Sequence, residues 1–376
     1  MKQNEAHEVL IKSLSQLERY LEQFGKLDHC TLQNLDLTAL SLDWAALPLE
    51  NATFLGCEIP FEAEIALRQK GAHVYPKQGG LPYEPYRKTL YTWQELMEGY
   101  AEGNDQSLDW QIYDHFSESR NNPDINEALC QRIHDHAIDD ALRDLVGYDD
   151  DGMTRLKCVG IMGGHSTGRD KHWYRQTAFV AQQLAAAGFY VVSGGGPGTM
   201  EAANLGAYFG GYAAEDLQAA LDILQRAPKY GTHAYFEAAW EVLERWPTGV
   251  DNLAIPTWFY GHEPSNFFGT QIAKYFSNSI REDNLLAISL YGVVFAPGSA
   301  GTTQEIFQDA AQNHYATYGY YSPMAFMGRE RYEIKTSLFP LLKQLAWEKP
   351  YFDMLTLSDE PEEIVQFIQA HPPIRK

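Results

Sequence analysis

The chain has 376 residues, and at ~150 residues per domain this length predicts two or three structural units. Its 45% hydrophobic and 21% charged residues are typical of a globular protein and exclude a collagen-like or wholly disordered chain. A net charge of −21, from 29 Lys and Arg against 50 Asp and Glu, disfavours polynucleotides and anionic membranes as partners, because like charges repel.

The start of the chain carries no targeting signal that we can identify. Residues 1–5 are polar, and no apolar run approaches the ~20 residues needed to cross a bilayer. The cysteines, Cys30, Cys57, Cys130 and Cys158, lie far apart and form no C-x-x-C pair. We therefore expect buried thiols in a cytoplasmic protein, without a zinc site or disulfide scaffold.

The first predicted element is a helix over residues 10–24. Apolar side chains recur there at alternating spacings of four and three residues, namely Leu10, Leu14, Leu17, Leu21 and Phe24. Gly25 then supplies a stop signal. Such a stripe usually packs against a core or against a second copy of the chain.

Residues 30–60 follow a different period. Leucines step by five residues, a spacing that fits neither helix nor strand: Leu32, Leu37, Leu42 and Leu47, with Leu35 and Leu40 sharing the step. This pattern resembles pentapeptide-repeat proteins, which form a short right-handed β-helix. A loop-rich cap is the alternative interpretation. We assign 1–90 to an N-terminal accessory region, which ends in a Gly- and Pro-rich stretch at 76–85.

The next segment concentrates the negative charge of the chain. Residues 101–151 hold fourteen acidic residues against three arginines, a net charge of −11. A metal cluster at 134–136 is disfavoured, because adjacent side chains point in different directions on a helix. We interpret 91–152 as an acidic helical linker with a solvated face.

After Gly152 the pattern becomes a regular alternation of buried strands and helices. Strands are predicted at 157–162, 188–193, 253–258, 291–296, 324–327 and 354–357, and helices at 174–187, from 199, at 266–280, from 302, at 336–347 and after 360. This order predicts an α/β fold, a doubly wound parallel, Rossmann-like sheet over 153–376 with a helical insertion at about 208–250. The N-terminal region would form a smaller domain.

Two glycine-rich turns follow strands and precede helices in this domain. They read SGGGPGTMEAAN at 193–204 and PGSAGTTQE at 297–305. Ligands of open parallel sheets bind at the carboxyl ends of the strands, and a helix start there suits a phosphate. Neither turn is a Walker loop or a G-x-G-x-x-G fingerprint, and Pro297 excludes the G-x-S-x-G elbow of serine hydrolases.

Together the two motifs resemble the "Lonely guy" (LOG) family of nucleoside 5′-monophosphate phosphoribohydrolases, many of which carry the older description "lysine decarboxylase-like". The resemblance covers about 157–327 and includes the turn GGHS at 163–166. It implies a Rossmann-like enzyme without a cofactor or metal, which cleaves a nucleoside monophosphate to free base and ribose 5-phosphate. Together with the stripe at 10–24 it indicates a homodimer or larger homo-oligomer.

The resemblance also implies a role for individual residues. The catalytic pair would be Arg281 and Glu305. The substrate phosphate would be bound by Gly298, Ser299, Ala300, Gly301 and Thr302, and the nucleotide by Gly163, Gly164, Gly194, Gly195, Gly196, Gly198, Met200 and Glu201. His262, Glu263 and Asn266 follow the middle strand, where an ordinary loop role competes with one at the site rim.

Chemistry supports this pairing, although structural roles compete. Breaking a ribosyl–base bond develops positive charge on the sugar, which a carboxylate stabilises, and an arginine can orient that carboxylate. Glu305 would equally complement a helix dipole, and Arg281 could form a surface ion pair. Ser299 departs from the family, which usually has glycine there. The alternative function is therefore a non-catalytic, regulatory nucleotide-binding protein.

Overall fold

The computed structural model describes residues 9–102, 105–262 and 264–376 of the chain. The polar start at 1–5 and Glu263, which entered the predictions above, lie outside these residues. Within the described ranges, no helix combines the length and the apolar character needed to span a bilayer.

The chain divides into two compact units. The smaller one contains the described residues up to Thr89 together with Pro123–Ala141, and the larger one contains Leu90–Asn122 and Leu142–Lys376. The linker expected over 91–152 is thus divided between the two units instead of standing apart.

The secondary structure alternates along most of the chain. The helices are α1 (Leu14–Phe24), α2 (Phe61–Gln69), α3 (Trp93–Leu96), α4 (Leu108–Ser119), α5 (Ile125–Val146), α6 (His172–Ala186), α7 (Thr199–Tyr208), α8 (Ala214–Leu224), α9 (His233–Arg245), α10 (Asn278–Ile288), α11 (Ala300–Tyr315), α12 (Leu338–Leu345) and α13 (Pro361–Ala370). The strands are β1 (Val9–Ile11), β2 (Leu27–Asp28), β3 (Cys30–Gln33), β4 (Leu49–Glu50), β5 (Thr53–Leu55), β6 (His73–Tyr75), β7 (Cys158–Met162), β8 (Tyr190–Ser193), β9 (Leu253–Ala254), β10 (Gln271–Ile272), β11 (Val293–Phe295), β12 (Tyr320–Tyr321), β13 (Met324–Met327), β14 (Leu355–Ser358) and β15 (Ile374–Arg375). Single 3-10 turns lie at Phe209–Gly211 and Phe352–Met354, and a π-helical turn lies at Glu330–Lys335.

In the smaller unit, β1, β3, β5 and β6 form a parallel sheet in that order. Residues paired across the three interfaces lie 21, 22 and 20 positions apart, so the chain returns after about four five-residue steps. Leu32 and Leu37 from the five-residue pattern are fully buried in the core of this unit. The first and third turns contain α1 and α2, so a regular pentapeptide coil does not describe them.

The first helix is shorter than the predicted 10–24. Leu10 lies in β1, and α1 begins only after Ser13, whose side chain caps it. Gln16 N donates to Ser13 Oγ at 3.2 Å, and Ser13 N donates to Gln16 Oε1 at 3.1 Å, a reciprocal capping box. The predicted stop is confirmed, because Gly25 has a φ of +66°.

The interpretation of 134–136 as a solvated helical face is wrong for two of its three residues. His134 and Asp135 are buried, and only His136 is open to solvent. The His134 ring packs edge-on against Tyr83, with ring centroids 5.6 Å apart, and burial lowers the pKa of His134. All four cysteines are buried free thiols, as expected.

The larger unit is built on a seven-stranded parallel sheet in the order β10-β9-β8-β7-β11-β13-β14. The predicted doubly wound, Rossmann-like fold is confirmed. Helices α6 and α7 pack against each other, α13 packs against α6, and their apolar faces share a core with the central strands, including Val159, Val191 and Val294. Between α7 and β9, the chain forms α8 and α9, which bury Leu217 and Val242 in a second cluster.

The helix predicted over 266–280 is wrong. Its middle forms the edge strand β10, whose residues pair with β9, and the helix α10 begins at Asn278. The backbone of Ala273 donates to Ala254 O at 2.8 Å. Almost every side chain from 264 to 276 is buried, including Lys274, so the segment has no polar face of the kind a surface helix needs.

Candidate active site

The winding of the large sheet reverses between β7 and β11. The strands that follow β7 continue to one side, as β8, β9 and β10, and those that follow β11 continue to the other. At such a point the loops after the two strands separate and leave a crevice in which ligands of open α/β sheets bind. Here these loops are joined by a hydrogen bond from Gly164 N to Pro297 O, at 3.1 Å.

Close packing at this edge of the sheet depends on two glycines, one in the loop after β8 and one in the loop after β11. Gly198 has a φ of +70°, and a Cβ there would lie 2.5 Å from the carbonyl oxygen of His165 and 2.6 Å from that of Gly164. A Cβ on Gly298 would overlap the side chain of Thr302. Both glycine motifs are therefore required by packing, whatever ligand they bind.

A cavity of about 530 Å³ lies at this point of the sheet. It brings together most of the residues that the sequence predicted: Gly163, Gly164, Gly194, Gly196, Met200, Arg281, Ser299, Ala300, Gly301, Thr302 and Glu305. The remaining predicted glycines, Gly195, Gly198 and Gly298, belong to the same turns but do not line the cavity.

The start of α11 forms one wall of the cavity. Its first turn contains no acidic residue, and Ser299, at the N-cap, makes no capping hydrogen bond with its side chain. Ala300, Gly301 and Thr302 line the cavity, and no acidic residue of this first turn neutralises the partial positive charge of their backbone amides. Such a helix start attracts an anion.

The side chains of Arg281 and Glu305 lie next to each other in the cavity wall. Arg281 lies on α10 and Glu305 on α11, and Arg281 Nη1 is 3.8 Å from Glu305 Oε1. Their side chains are 10% and 14% exposed. Asn278 Oδ1 accepts a hydrogen bond from Arg281 Nη2 at 2.7 Å, whereas Arg281 Nε is buried without a partner among the described residues. At 3.8 Å the two groups form an ion pair without a direct hydrogen bond.

Burial sets the protonation of Glu305. It raises the pKa of this carboxyl to about 7, the negative charge of Glu282 acts in the same direction, and the Arg281 guanidinium opposes both. Near neutral pH the carboxyl can therefore both hold and release a proton.

A second carboxylate, Glu282, lies beside Arg281 in the same wall. Its Oε1 accepts from Asn278 Nδ2 at 2.8 Å and its Oε2 accepts from Gln304 Nε2 at 2.7 Å. Arg281 Nη2 is 3.7 Å from Glu282 Oε1. These contacts hold the Glu282 carboxylate in a defined position beside Arg281.

Sequence reasoning did not predict Glu282 as a site residue. It also missed the other residues that complete the lining, which are His165, Pro256, Thr257, Tyr260 and Gln304. His165 and Gln304 stand within the glycine motifs quoted above, next to residues that were predicted. Pro256, Thr257 and Tyr260 lie two to six residues beyond the end of β9, and no motif marks them.

A buried polar network holds the first glycine turn in place. Asn266 Nδ2 donates to Gly195 O at 3.0 Å and to Asn204 Oδ1 at 2.9 Å, while Gly195 N donates to Ser193 Oγ at 3.0 Å. Asn204 in turn donates to Asn252 Oδ1 at 2.8 Å. Asn266, considered above for the site rim, is buried and supports the turn from behind.

Glu201 does not line the large cavity, although it was predicted to bind the nucleotide. Its carboxylate accepts from Arg169 Nε at 2.9 Å and from Arg169 Nη2 at 2.6 Å, and it accepts hydrogen bonds from the hydroxyls of Tyr174 and Tyr235, both at 2.7 Å. Both charged side chains are 1% exposed. One of these hydrogen bonds is to Oε1 and three are to Oε2, so the carboxylate is held in the core by its protein partners.

His262 also lies away from the cavity lining. Its ring packs edge-on against Trp110, with centroids 4.7 Å apart, and its Nε2 is 3.9 Å from Asp105 Oδ2 and 4.0 Å from Asp109 Oδ2. Burial lowers its pKa. These contacts indicate a packing role.

No protein-family model and no curated protein matches the sequence. Among solved structures, the chain is similar to the molybdenum cofactor binding protein of the phototrophic bacterium Rippkaea orientalis, at 13% identity over 57% of this chain and 97% of that chain, with a TM-score of 0.36. It is similar to the molybdenum cofactor carrier protein of Chlamydomonas reinhardtii at 14% identity, over 58% of this chain and 100% of that chain, with a TM-score of 0.36. It is also similar to DNA processing protein A of Streptococcus pneumoniae at 14% identity, over 77% and 96% of the two chains, with a TM-score of 0.33. At these identities the similarity concerns the fold alone.

Proposed function

We propose that the protein hydrolyses the N-glycosidic bond of a nucleoside 5′-monophosphate and releases free base and ribose 5-phosphate. The proposal depends on one observation. A single cavity contains Arg281, Glu305 and the start of α11, whose first turn has no acidic residue. A helix start suited to an anion and a carboxyl–guanidinium pair suited to acid–base chemistry share one cavity, as a phosphorylated glycoside would require.

The 5′-phosphate would bind at the start of α11. The amides of Ala300, Gly301 and Thr302 offer hydrogen-bond donors, and the Ser299 hydroxyl adds a further one. A phosphate bound there would lie close to Glu305, which is one helical turn beyond Gly301 on α11. The chain's overall negative charge does not prevent this, because amides at contact distance outweigh distant, screened carboxylates.

The remaining walls would hold the sugar and base. Gly194, Gly196 and Met200 line the cavity as well, and Asn266 holds the glycine turn through the carbonyls of Gly195 and Gly196. Cleavage of the C1′–N bond leaves positive charge on the ribose, and the carboxyl groups in the cavity are suited to stabilise it and to move protons. Arg281 would orient the carboxyls and bind substrate oxygens.

Incubation with a panel of purine and pyrimidine nucleoside 5′-monophosphates tests the proposal. We expect the wild-type protein to release free base, detected by chromatography, and Glu305→Gln to lose this activity while retaining the wild-type melting temperature. The corresponding nucleosides, which lack the phosphate, should be poor substrates.

Tight nucleotide binding without release of base would contradict the enzymatic proposal and favour the regulatory, non-catalytic alternative. The absence of both binding and turnover with every nucleotide would contradict both. Calorimetry on the wild-type protein distinguishes these outcomes.

A further inference from the structure

Two carboxylates line the proposed active site, and their surroundings differ. Glu282 accepts one amide hydrogen bond on each oxygen, from Asn278 and Gln304. Among the described residues the carboxyl of Glu305 receives no hydrogen bond, and its closest cation is the Arg281 guanidinium at 3.8 Å. One carboxyl is therefore held by donors and the other is left free inside the cavity.

The Arg281 side chain stands between them. Its Nη2 is 3.7 Å from Glu282, and its Nη1 is 3.8 Å from Glu305. A single guanidinium balances only one negative charge, and the carboxyl of Glu305, which receives no hydrogen bond from the described residues, is the one whose pKa burial raises to about 7. The amide donors fix the position of the Glu282 carboxylate.

We propose that Glu282 is a second catalytic residue of this site, which accepts a proton from the attacking water while Glu305 delivers a proton to the departing base. This inference rests on the proposed N-glycosidase function. It assigns the acid and the base to two different carboxyls, as enzymes that hydrolyse glycosides do.

In the proposed reaction the C1′–N bond breaks and its electron pair stays on the base nitrogen. That nitrogen takes the proton of Glu305. The water oxygen forms the new bond to C1′, and one water proton moves to Glu282. Exchange with solvent then returns the proton from Glu282 to Glu305.

Each oxygen of Glu282 retains a lone pair for the water, because each accepts a single amide hydrogen bond.

The sequence also supplies a matched control on the same helix. Asp283 is exposed, and its Oδ1 accepts from Gln308 Nε2 at 2.5 Å, so an α11 amide holds it much as Gln304 holds Glu282. Asp283 does not line the cavity.

The test compares Glu282→Gln with Asp283→Asn on the nucleotide that the wild type cleaves fastest. We expect Glu282→Gln to lower kcat at least about 100-fold with KM within about threefold of wild type, the range for loss of a general base. Asp283→Asn should stay within about twofold of wild type in both constants. Equal kcat values for the two variants would overturn the role of Glu282.

Chemical rescue separates catalysis from a structural role. In Glu282→Ala, sodium azide should restore turnover and give ribosyl azide 5-phosphate, because azide attacks C1′ without needing a base. For p-nitrophenyl ribofuranoside 5-phosphate, whose leaving group departs without protonation, Glu305→Gln should keep most of the wild-type kcat and Glu282→Gln should not. Loss of activity in Glu282→Ala without azide rescue would assign Glu282 a structural role and overturn the inference.

Glu282→Asp is the test to use if the Gln and Ala variants melt below the assay temperature. This variant retracts the carboxylate by one methylene. A fall in kcat of at least about tenfold at unchanged KM supports the catalytic role of Glu282. Wild-type kcat in that variant contradicts it. If the wild type releases base and Glu282→Gln behaves like Asp283→Asn, only this inference fails; if the wild type releases no base, the proposed function fails with it.

Discussion

Gln304 on α11 and Glu282 on α10 are joined by a hydrogen bond of 2.7 Å from Nε2 to Oε2. This bond crosses between the helix that offers the anion site and the helix that carries Arg281. Four residues further along α11, Gln308 makes a parallel bond to Asp283, outside the cavity. The two bonds have similar chemistry, but only the first holds a group that lines the site.

We therefore expect Gln304→Ala to impair activity and Gln308→Ala to leave it unchanged. Loss of a hydrogen bond to a charged group costs about 1.5–3 kcal/mol, which corresponds to a fall in kcat/KM of roughly tenfold to 100-fold if Glu282 is displaced. Steady-state kinetics of base release measure this. Equal activity of the two variants would show that the inter-helix bond does not position Glu282.

The proposed role of Glu305 predicts a specific pH dependence. Its pKa is raised to about 7, mainly by burial, so a general acid at this position loses its proton as pH rises through 7. We expect kcat/KM for nucleotides to fall above pH 7. In Glu282→Gln this decline should begin at lower pH, because the negative charge that raises the pKa of Glu305 is removed.

The opposite slope would be equally informative. An increase of kcat/KM through pH 7 would mean that the ionised form of Glu305 is the active one, as a base or as a charge stabiliser. The p-nitrophenyl substrate serves as the control, since its cleavage needs no acid and should not decline above pH 7.

Glu201 should be important for stability rather than for substrate binding. Removing one partner of a buried ion pair typically costs 3–5 kcal/mol, and Glu201→Gln leaves the Arg169 guanidinium buried without its counter-charge. Urea unfolding should show a destabilisation of about that size. The matched control is Glu241→Gln, which breaks the exposed pair with Arg226 and should cost less than about 1 kcal/mol.

Nucleotide affinity per folded molecule should be unchanged in Glu201→Gln, measured by calorimetry under conditions where the variant is folded. A large loss of nucleotide affinity in a variant with wild-type stability would instead indicate that Glu201 binds the nucleotide.

Asp309, one turn beyond Glu305 on α11, predicts a pH-dependent stability. It is buried, its Oδ2 has no partner among the described residues, and burial raises its pKa to about 8. The folded state thus keeps a proton that the unfolded chain releases near pH 4, so stability falls as pH rises from about 4 to 8. Asn at this position stays neutral throughout.

We therefore expect the melting temperature of Asp309→Asn, relative to wild type, to increase between pH 4 and pH 8 by at least about 2–4 °C, the equivalent of about 1 kcal/mol. Asp283→Asn, at an exposed site, should show no such trend. A difference that does not change with pH would mean that Asp309 is ionised in the folded protein.

The fold of the larger unit could be predicted from its sequence because the central strands are uniformly apolar and end in glycine turns. The prediction failed at 266–280, where almost every side chain up to 276 is buried and no helical periodicity results, and the strand character of β10 depends on pairing with β9. Spacing along a motif could not separate Glu305 from Glu201 either. Both follow glycine turns at helix starts, and only the position of Arg169 and the two tyrosines directs Glu201 into the core.

Glu282 was beyond sequence reasoning for a related physical reason. It follows Arg281 directly, and neighbouring residues on a helix usually point about 100° apart, so the pattern predicted no shared site. Its inclusion depends on Gln304, a residue of a different helix. His134 shows the reverse, because a residue of a locally polar sequence is buried and packs against Tyr83, which is distant in the sequence.

The pairing of β7 with β11 has a consequence for the order in which the protein folds during its synthesis. Gly160 pairs with Val293, 133 positions later in the chain, and α6 to α10 lie between them in sequence. Closing so long a segment is entropically unfavourable and slow compared with local contacts. The binding crevice is therefore among the last parts of the molecule that can be completed during synthesis, since no nascent chain shorter than about 300 residues contains both of its walls.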